Sequence, residues 1–203
     1  GTYGHIELRN KRDVEAGDKL YRNDNGHFVD ATAESGIYES ILGYGLGVAI
    51  GDINWDGYPD IYVSNDFHED DYLYYNNGNG TFSEALRSSV GHTSRASMGN
   101  DLADMNNDGN SDLILANRNN QPNYIYINDG NLNFNRRVQF GTGRDNTRSI
   151  GVADFNKDGY KDIVTANIKE QNVIYFGSKE FKFSNSLALD NSNSSSFSVA
   201  ISD

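Results

Sequence analysis

The sequence predicts an all-β fold made of four-stranded antiparallel units that recur about every 50 residues. Three observations support this prediction. A nine-residue acidic loop occurs three times at nearly constant spacing, short β-prone segments flank each copy, and an aromatic strand with a turn follows each copy. The segments beside the loops lack the apolar period of about 3.6 residues that marks amphipathic helices. The repeat therefore consists of strands.

The first acidic loop lies within GDINWDGYPDIYVSND, residues 51 to 66. Oxygen-bearing side chains stand at the alternate positions Asp52, Asn54 and Asp56, and Gly57 and Asp60 complete the pattern. Hard cations such as Ca²⁺ take about six to eight oxygen ligands, and the glycine allows a sharp turn around the ion. An EF-hand loop would join two helices, whereas GVAI before this loop and IYVS after it favour strands. We therefore expect the loop to join two β-strands.

The same pattern begins again at Asp104 and Asp154, which places the first aspartates 52 and 50 residues apart. A further start is indicated at Asp203, the last residue, because SVAI precedes it in the place of GVAI. Beyond each complete loop an aromatic strand leads into a turn: YLYY into NNGNGTF, YIYI into NDGNLNF, and VIYF into GSKEFKF. An earlier segment, KLYR followed by NDNGHF, has this form without a preceding loop. These turns predict a hairpin between the third and fourth strands of each unit.

Four strands per period, with no helix between them, are typical of a propeller blade. We expect one β-propeller region over residues 1–203, with a partial blade at 5–35, full blades at 44–88, 97–138 and 148–188, and the start of a further blade at 197–203. Closed propellers use about four to eight blades. We interpret the chain as part of a larger propeller. A closed four-blade ring and a multi-chain assembly through exposed strand edges are alternatives.

The repeats resemble the FG-GAP or VCBS type, which occurs in the β-propeller of integrin α-subunit heads and in many bacterial secreted proteins. The family's Gly-Ala strand corresponds here to Gly47-Val48-Ala49, Gly99-x-x-Leu102-Ala103 and Gly151-Val152-Ala153. Residues 18–112 look like the repeats of bacterial relatives of cartilage acidic protein, and residues 113–203 look like a simpler tandem VCBS array.

This resemblance implies one Ca²⁺ in each loop, or three sites in all. The implied ligands are the side chains at loop positions one, three, five and nine and the backbone carbonyl at position seven. They are Asp52, Asn54, Asp56, Tyr58 and Asp60; Asp104, Asn106, Asp108, Asn110 and Asp112; and Asp154, Asn156, Asp158, Tyr160 and Asp162. The loops hold nine of the 29 acidic residues, so three bound Ca²⁺ would change the formal charge from −12 to −6.

Composition narrows the classes of function. The chain has no cysteine, which excludes a disulfide framework and a thiolate site. No apolar run approaches the roughly 18 residues of a membrane span, and no signal-peptide pattern is present. A net charge of −12 argues against binding to nucleic acid.

Two further groups of polar residues are candidate sites. His92 stands near Ser94, Arg95 and Ser97, but no G-x-S-x-G motif occurs, so we favour a structural role over hydrolase chemistry. The segment DFHEDD, residues 66–71, could supply a second metal site or an acid–base pair, and we favour a solvated acidic loop.

The only tryptophan, Trp55, occupies position four of the first loop, which normally points away from the metal. With Tyr58 and Tyr160 it could form an aromatic platform for sugar rings. The alternative, which we favour at this stage, is packing against the neighbouring blade. Asn79 and Asn193 begin glycosylation sequons, which matter only in a glycosylating host.

We expect a non-catalytic, calcium-stabilised β-propeller module of a secreted or cell-surface protein that serves adhesion, assembly, or recognition of an extracellular glycan or protein. One alternative is a polysaccharide-degrading lyase or hydrolase, because some of these enzymes use propellers of related appearance. The sequence does not assemble a catalytic set of His, Tyr, Arg or Lys residues for that alternative. A second alternative is a subunit of an extracellular filament that self-assembles through open strand edges.

Overall fold

The computed structural model describes residues 11–13, 15–66, 69–90, 94, 96–191 and 193–202. These residues form fourteen strands and two single-turn helices. The first strands, β1 (Tyr21–Asp24) and β2 (His27–Asp30), form an isolated hairpin, which is followed by helix α1 (Thr32–Ser35). The hairpin lies within the partial blade that the sequence predicts at residues 5–35.

Three four-stranded antiparallel sheets follow, and they are the first, second and third blades. The first blade contains β3 (Gly45–Gly51), β4 (Asp60–Asn65), β5 (Tyr72–Asn76) and β6 (Phe82–Glu84), followed by helix α2 (Leu86–Ser89). The second contains β7 (Ser97–Ala103), β8 (Asp112–Asn117), β9 (Gln121–Ile127) and β10 (Arg136–Asp145). The third contains β11 (Thr147–Ala153), β12 (Asp162–Asn167), β13 (Val173–Phe176) and β14 (Asn185–Ala188). Strands pair in chain order within each blade, which confirms the predicted all-β, propeller-like fold.

The hydrophobic core lies between the blades. Strand β8 shows why, because all six of its residues are buried and successive side chains point to opposite faces of the sheet. Leu113 and Leu115 join residues of the first blade in one cluster. Ile114 and Ala116 join residues of the third blade in another. A blade with neighbours on both sides therefore needs an apolar second strand rather than an alternating one.

Two clusters of buried side chains form these layers between blades. The layer between the first and second blades contains Ile53, Tyr62, Leu73, Leu86, Val90, Leu113, Leu115, Tyr126 and Phe134. The layer between the second and third blades contains Met105, Ile114, Ala116, Ile125, Ile127, Phe140, Ile150, Ile163 and Tyr175.

The first strands of neighbouring blades approach each other at glycines. A Cβ atom at Gly47 would lie 3.1 Å from the Cα of Gly99, and one at Gly99 would lie 3.0 Å from the Cα of Ser149. Both distances are tighter than ordinary Cβ contacts, so a larger residue would separate the strands. The glycines of the family's Gly-Ala strand therefore set the spacing between blades.

One face of the first blade is open. Val48 and Ile50 on β3 are 61% and 64% exposed, and they border a groove of about 500 Å³ that residues 18–20 also line. The residue of the third blade that is equivalent to Val48 is Ile150, which is only 7% exposed because the second blade covers it. The exposed face of β3 is thus apolar, as are the faces that are buried between blades.

The last strand of the second blade is longer than the sequence predicts. Strand β10 continues to Asp145, whereas the sequence places the end of that blade at residue 138. A bulge between Phe140 and Asp145 accommodates the extra residues, with Gly141 and Gly143 at φ of +80° and +85°. The Asp145 carboxylate accepts hydrogen bonds from the backbone and hydroxyl of Thr142, which stabilise the bulge.

A hydrogen bond near the start of each third strand recurs in all three blades. In the first blade, Asp71 Oδ1 accepts the backbone N–H of Asn65 at 2.7 Å. At the equivalent positions the acceptor is an amide oxygen, from Asn123 in the second blade at 2.7 Å and from Asn172 in the third at 2.9 Å. The bond satisfies the N–H at the end of the second strand. Asp71 is thus a carboxylate where the other blades have an amide.

The pKa of Asp71 is raised to about 7, mainly by burial and to a smaller extent by the negative charge of Asp70. Hydrogen bonds from Asn65, Tyr62 and Ser97 act in the opposite direction. Because the native pKa lies above the unfolded value, folding binds a proton between about pH 4 and pH 7. The contribution of Asp71 to stability is therefore greatest at low pH, declines between about pH 4 and pH 7, and is lost above pH 7.

We predict that Asp71→Asn keeps the fold and removes this pH dependence. The variant's free energy of unfolding should fall less between pH 5 and pH 8 than the wild type's, by at most about 1.4 kcal/mol per pH unit. Asp71→Ala should cost about 1 to 3 kcal/mol, since it leaves the Asn65 N–H without an acceptor. Urea denaturation at several pH values measures both effects. Parallel pH profiles for Asp71→Asn and wild type would show that Asp71 does not titrate in this range.

Candidate metal-binding loops

Each acidic loop joins the first and second strands of its blade, as the sequence predicts. The loops connect β3 to β4, β7 to β8 and β11 to β12. Their backbones share one conformation: position four, which is Trp55, Asn107 or Lys157, has φ of +60°, +59° or +61°. The glycine at position six has φ of +87°, +92° and +90° in the three loops. Glycine adopts this left-handed conformation without steric cost, which explains its place in the motif.

The same hydrogen bonds hold the side-chain oxygens in every loop. In the first loop, the N–H of Asp56 donates to Asp52 Oδ1 at 3.2 Å and to Asn54 Oδ1 at 3.1 Å. The N–H of Gly57 donates to Asp52 Oδ2 at 2.9 Å, and that of Tyr58 donates to Asp56 Oδ1 at 2.8 Å. The second and third loops repeat all four bonds. Oxygens of positions one, three and five are thereby gathered around one turn of backbone.

The aspartate at position nine has a structural role that sequence reasoning missed. In the second blade, Asp112 Oδ2 accepts the N–H of Met105 in the loop at 3.0 Å. Its Oδ1 accepts the N–H of Asn128, beyond the third strand, at 2.9 Å. Asp60 and Asp162 make the equivalent pairs of bonds, and all three residues are fully buried. The position-nine carboxylate therefore ties the loop and the third strand to the start of the second strand.

The loops concentrate negative charge. The pKa of Asp112 is raised to about 7, mainly by burial and to a smaller extent by the charges of Asp108 and Asp104, while two backbone hydrogen bonds act in the opposite direction. The pKa of Asp60 is raised in the same way. Ion pairs among the described residues join Lys or Arg to other carboxylates, and none of those pairs reaches a loop aspartate. The donors facing these carboxylates are backbone N–H groups and side-chain amides, one amide in the first and third loops and two, Asn106 and Asn110, in the second.

The donor chemistry of the loops suits Ca²⁺. No group of three or more His, Cys, Asp or Glu side chains within the described residues is arranged to hold a metal ion. The loop carboxylates accept hydrogen bonds from backbone N–H groups. Calcium, however, also accepts amide and backbone carbonyl oxygens, and a carboxylate oxygen that accepts one hydrogen bond keeps a second lone pair. At positions one, three, five and nine each loop offers three carboxylates and one amide, without the nitrogen or sulfur ligands that zinc prefers.

Some of the other candidate residues have structural roles, and others lie outside the described residues. His68, His92 and Arg95 are outside the described residues. Ser97 Oγ contacts Ser64 Oγ of the first blade at 2.8 Å, so it belongs to the contact between blades.

The prediction that residues 66–71 form a solvated acidic loop is wrong for its described members. Asp66 is 5% exposed and pairs with Arg118 of the second blade at 2.7 Å, while Glu69 and Asp71 are buried. These carboxylates are used within the fold. The ion pair between Asp66 and Arg118 joins two blades, and the two residues therefore lie 52 positions apart in the sequence.

Trp55 does not pack against the neighbouring blade. The residue is 68% exposed, and Tyr58 is 47% exposed. The packing interpretation favoured from sequence is therefore wrong, and the first loop presents two aromatic rings to solvent.

Known structures and relatives support the fold. A lectin from Agrocybe aegerita, described for its specific recognition of non-reducing terminal N-acetylglucosamine, superimposes with a TM-score of 0.55 and 21% sequence identity. The match covers 87% of this chain and 47% of the lectin chain. Mouse cartilage acidic protein 1 is 31% identical over 145 aligned positions, which cover 68% of this chain and 22% of that protein. The helices among the described residues are all too short and too polar to span a membrane.

A profile of the FG-GAP-like repeat matches three overlapping segments, residues 12–63, 52–115 and 104–165. Each match ends just beyond an acidic loop, and the second and third matches begin at Asp52 and Asp104, the first aspartates of the first and second loops. The matches together cover more than half of the chain, so the chain belongs to the FG-GAP-like repeat family.

Proposed function

We propose that the chain is a non-catalytic, calcium-stabilised β-propeller module of a secreted or cell-surface protein that recognises a glycan or protein ligand. The observation that carries the calcium proposal is the threefold repetition of one loop geometry. Three loops gather the same oxygens with the same hydrogen bonds, and each has three carboxylates without a partner Lys or Arg among the described residues. A divalent cation would compensate the negative charge of this arrangement.

Each ion would be held by side-chain oxygens at positions one, three, five and nine and by the carbonyl at position seven. When bound, Ca²⁺ supplies two positive charges and a crosslink between the ends of two strands. The backbone N–H groups described above hold the carboxylates close together before the ion arrives. Extracellular modules bind Ca²⁺ with Kd of about 10⁻⁴ to 10⁻³ M, so loops of this kind suit a secreted or cell-surface setting.

Recognition rather than catalysis is favoured by where the polar residues lie. Ser97, Asp66 and Asp71, which sequence analysis treated as candidate catalytic or acid–base groups, are used in contacts within and between blades. The lectin with a similar fold supports a binding role through architecture alone, because sequence identity to it is low. The exposed aromatic residues of the first loop provide a surface suited to a ligand.

We predict that EDTA lowers the melting temperature by more than about ten degrees relative to excess Ca²⁺. A ligand that binds only the native state adds about 2.7 kcal/mol per site at a hundredfold excess over Kd. For a chain of this size each kcal/mol corresponds to about 2 to 4 °C. Thermal unfolding followed by circular dichroism measures the difference. Equal melting temperatures in EDTA and in Ca²⁺ would contradict the calcium proposal.

Two variants of the second loop separate binding of metal from the structural role of position nine. Asp108→Ala removes a proposed ligand from an exposed position, so its main effect should be a smaller gain of stability from Ca²⁺. Asp112→Ala leaves the N–H groups of Met105 and Asn128 without acceptors, which should cost about 2 to 5 kcal/mol even in EDTA.

Chemical denaturation of both variants, with and without Ca²⁺, provides the comparison. A full response of Asp108→Ala to Ca²⁺ would remove this residue from the ligand set. Wild-type stability of Asp112→Ala in EDTA would show that the two hydrogen bonds are dispensable.

A further inference from the structure

The first loop holds its tryptophan in an unfavourable position. Trp55 has φ of +60°, in the left-handed region that only Gly and, less readily, Asn or Asp adopt easily. At the equivalent position the second loop has Asn107, the residue type expected there. Trp55 is also 68% exposed, so burial in the fold does not offset the cost of its backbone. Lys157 adopts the same conformation in the third loop, so the positive φ belongs to the loop, and the exposed aromatic ring is what distinguishes Trp55.

A second aromatic ring lies three residues away and is held by the hairpin of the same blade. Tyr58 is 47% exposed, and its ring lies against Gly78 in the turn between β5 and β6. A Cβ atom at Gly78 would lie only 2.6 Å from Tyr58 Cε2. The glycine therefore makes room for the ring and limits its movement. Position seven lies against this hairpin in the other blades too, where Asn110 is near Gly130.

The position-four side chain is placed at the boundary between neighbouring loops. Asn107 Nδ2 in the second loop lies 3.4 Å from the carbonyl oxygen of Gly159 in the third. By the equivalence of the loops, Trp55 stands on the side of the first loop that faces the second. It stays exposed there, so a ligand lying across the first and second loops would reach its ring.

We propose that Trp55 and Tyr58 form a carbohydrate-binding platform on the loop end of the first blade, on which the apolar face of a pyranose ring stacks. This inference rests on the proposed recognition function and names the site and the ligand class. Aromatic rings that are apolar in the body and polar at one edge suit sugars, which combine C–H faces with hydroxyl groups. Asn79 lies in the same turn as Gly78 and is exposed. Its Oδ1 accepts hydrogen bonds from Thr81, and its Nδ2 group is a donor that a sugar hydroxyl can use.

The protein contains one tryptophan, so its fluorescence reports directly on the platform. We expect the trimer of β-1,4-linked N-acetylglucosamine or cellotriose to change the Trp55 emission in a saturable manner. Calcium is kept in excess so that the loops remain in one state. Saturation-transfer difference NMR should show the strongest contacts at sugar C–H protons. Absence of binding by both sugars would overturn the platform and the glycan part of the proposed function together.

Trp55→Asn is the decisive variant, because asparagine occupies the same conformation in the second loop. We expect its melting temperature to equal or exceed that of the wild type, while sugar binding measured by calorimetry weakens by at least about tenfold. Tyr58→Ser should weaken binding to a smaller extent. A structural role for Trp55 predicts the opposite, a loss of stability with binding retained.

Lys157→Asn is the matched control. It introduces asparagine at position four of the third loop, where the backbone has the same conformation as at Trp55. Because this position lies outside the proposed platform, sugar binding should remain unchanged. If the wild type binds the trimer and Trp55→Asn binds it equally well, the glycan function stands and the platform is overturned. If Lys157→Asn weakens binding as much as Trp55→Asn does, the first loop is not the specific site.

Discussion

The fold depends on one buried carboxylate in each blade, the aspartate at position nine of the loop. Its two oxygens accept backbone N–H groups from the loop and from the end of the third strand. These N–H groups would otherwise be unpaired at the point where two strands end, at a cost of about 1 to 3 kcal/mol each. A single residue thereby fixes where the loop begins, where the second strand begins and where the third strand stops.

The local features of the fold could be predicted from the sequence, because the loops and hairpins are coded by neighbouring residues. The spacing of Asp52, Asn54 and Asp56 identified the loops, and the turns after the third strands identified the hairpins. The boundary of the second blade was missed because β10 continues through a bulge, and nothing in the spacing of its residues marks its end.

Contacts between blades could not be predicted, because their partners lie a full repeat apart. Asp66 reads as part of an acidic run, but its charge is compensated by Arg118, 52 residues later. Asp71 belongs to the same run in sequence, and in the fold it takes the place that Asn123 and Asn172 have in the other blades. The recurrence of a polar residue near the start of each third strand was the signal that could have revealed its role.

Repetition also separates the residues that build the loop from those that are free to vary. Positions one, three, five, six and nine have the same residue in all three loops, because each makes the same hydrogen bonds or adopts the same glycine conformation. Position four is Trp, Asn and Lys in the first, second and third loops, and position seven is Tyr, Asn and Tyr. The side chains at these two positions do not determine the turn. A change at these positions alters the surface without altering the loop. Each blade can therefore present a different pair of side chains on an identical backbone, and in the first blade that pair is aromatic.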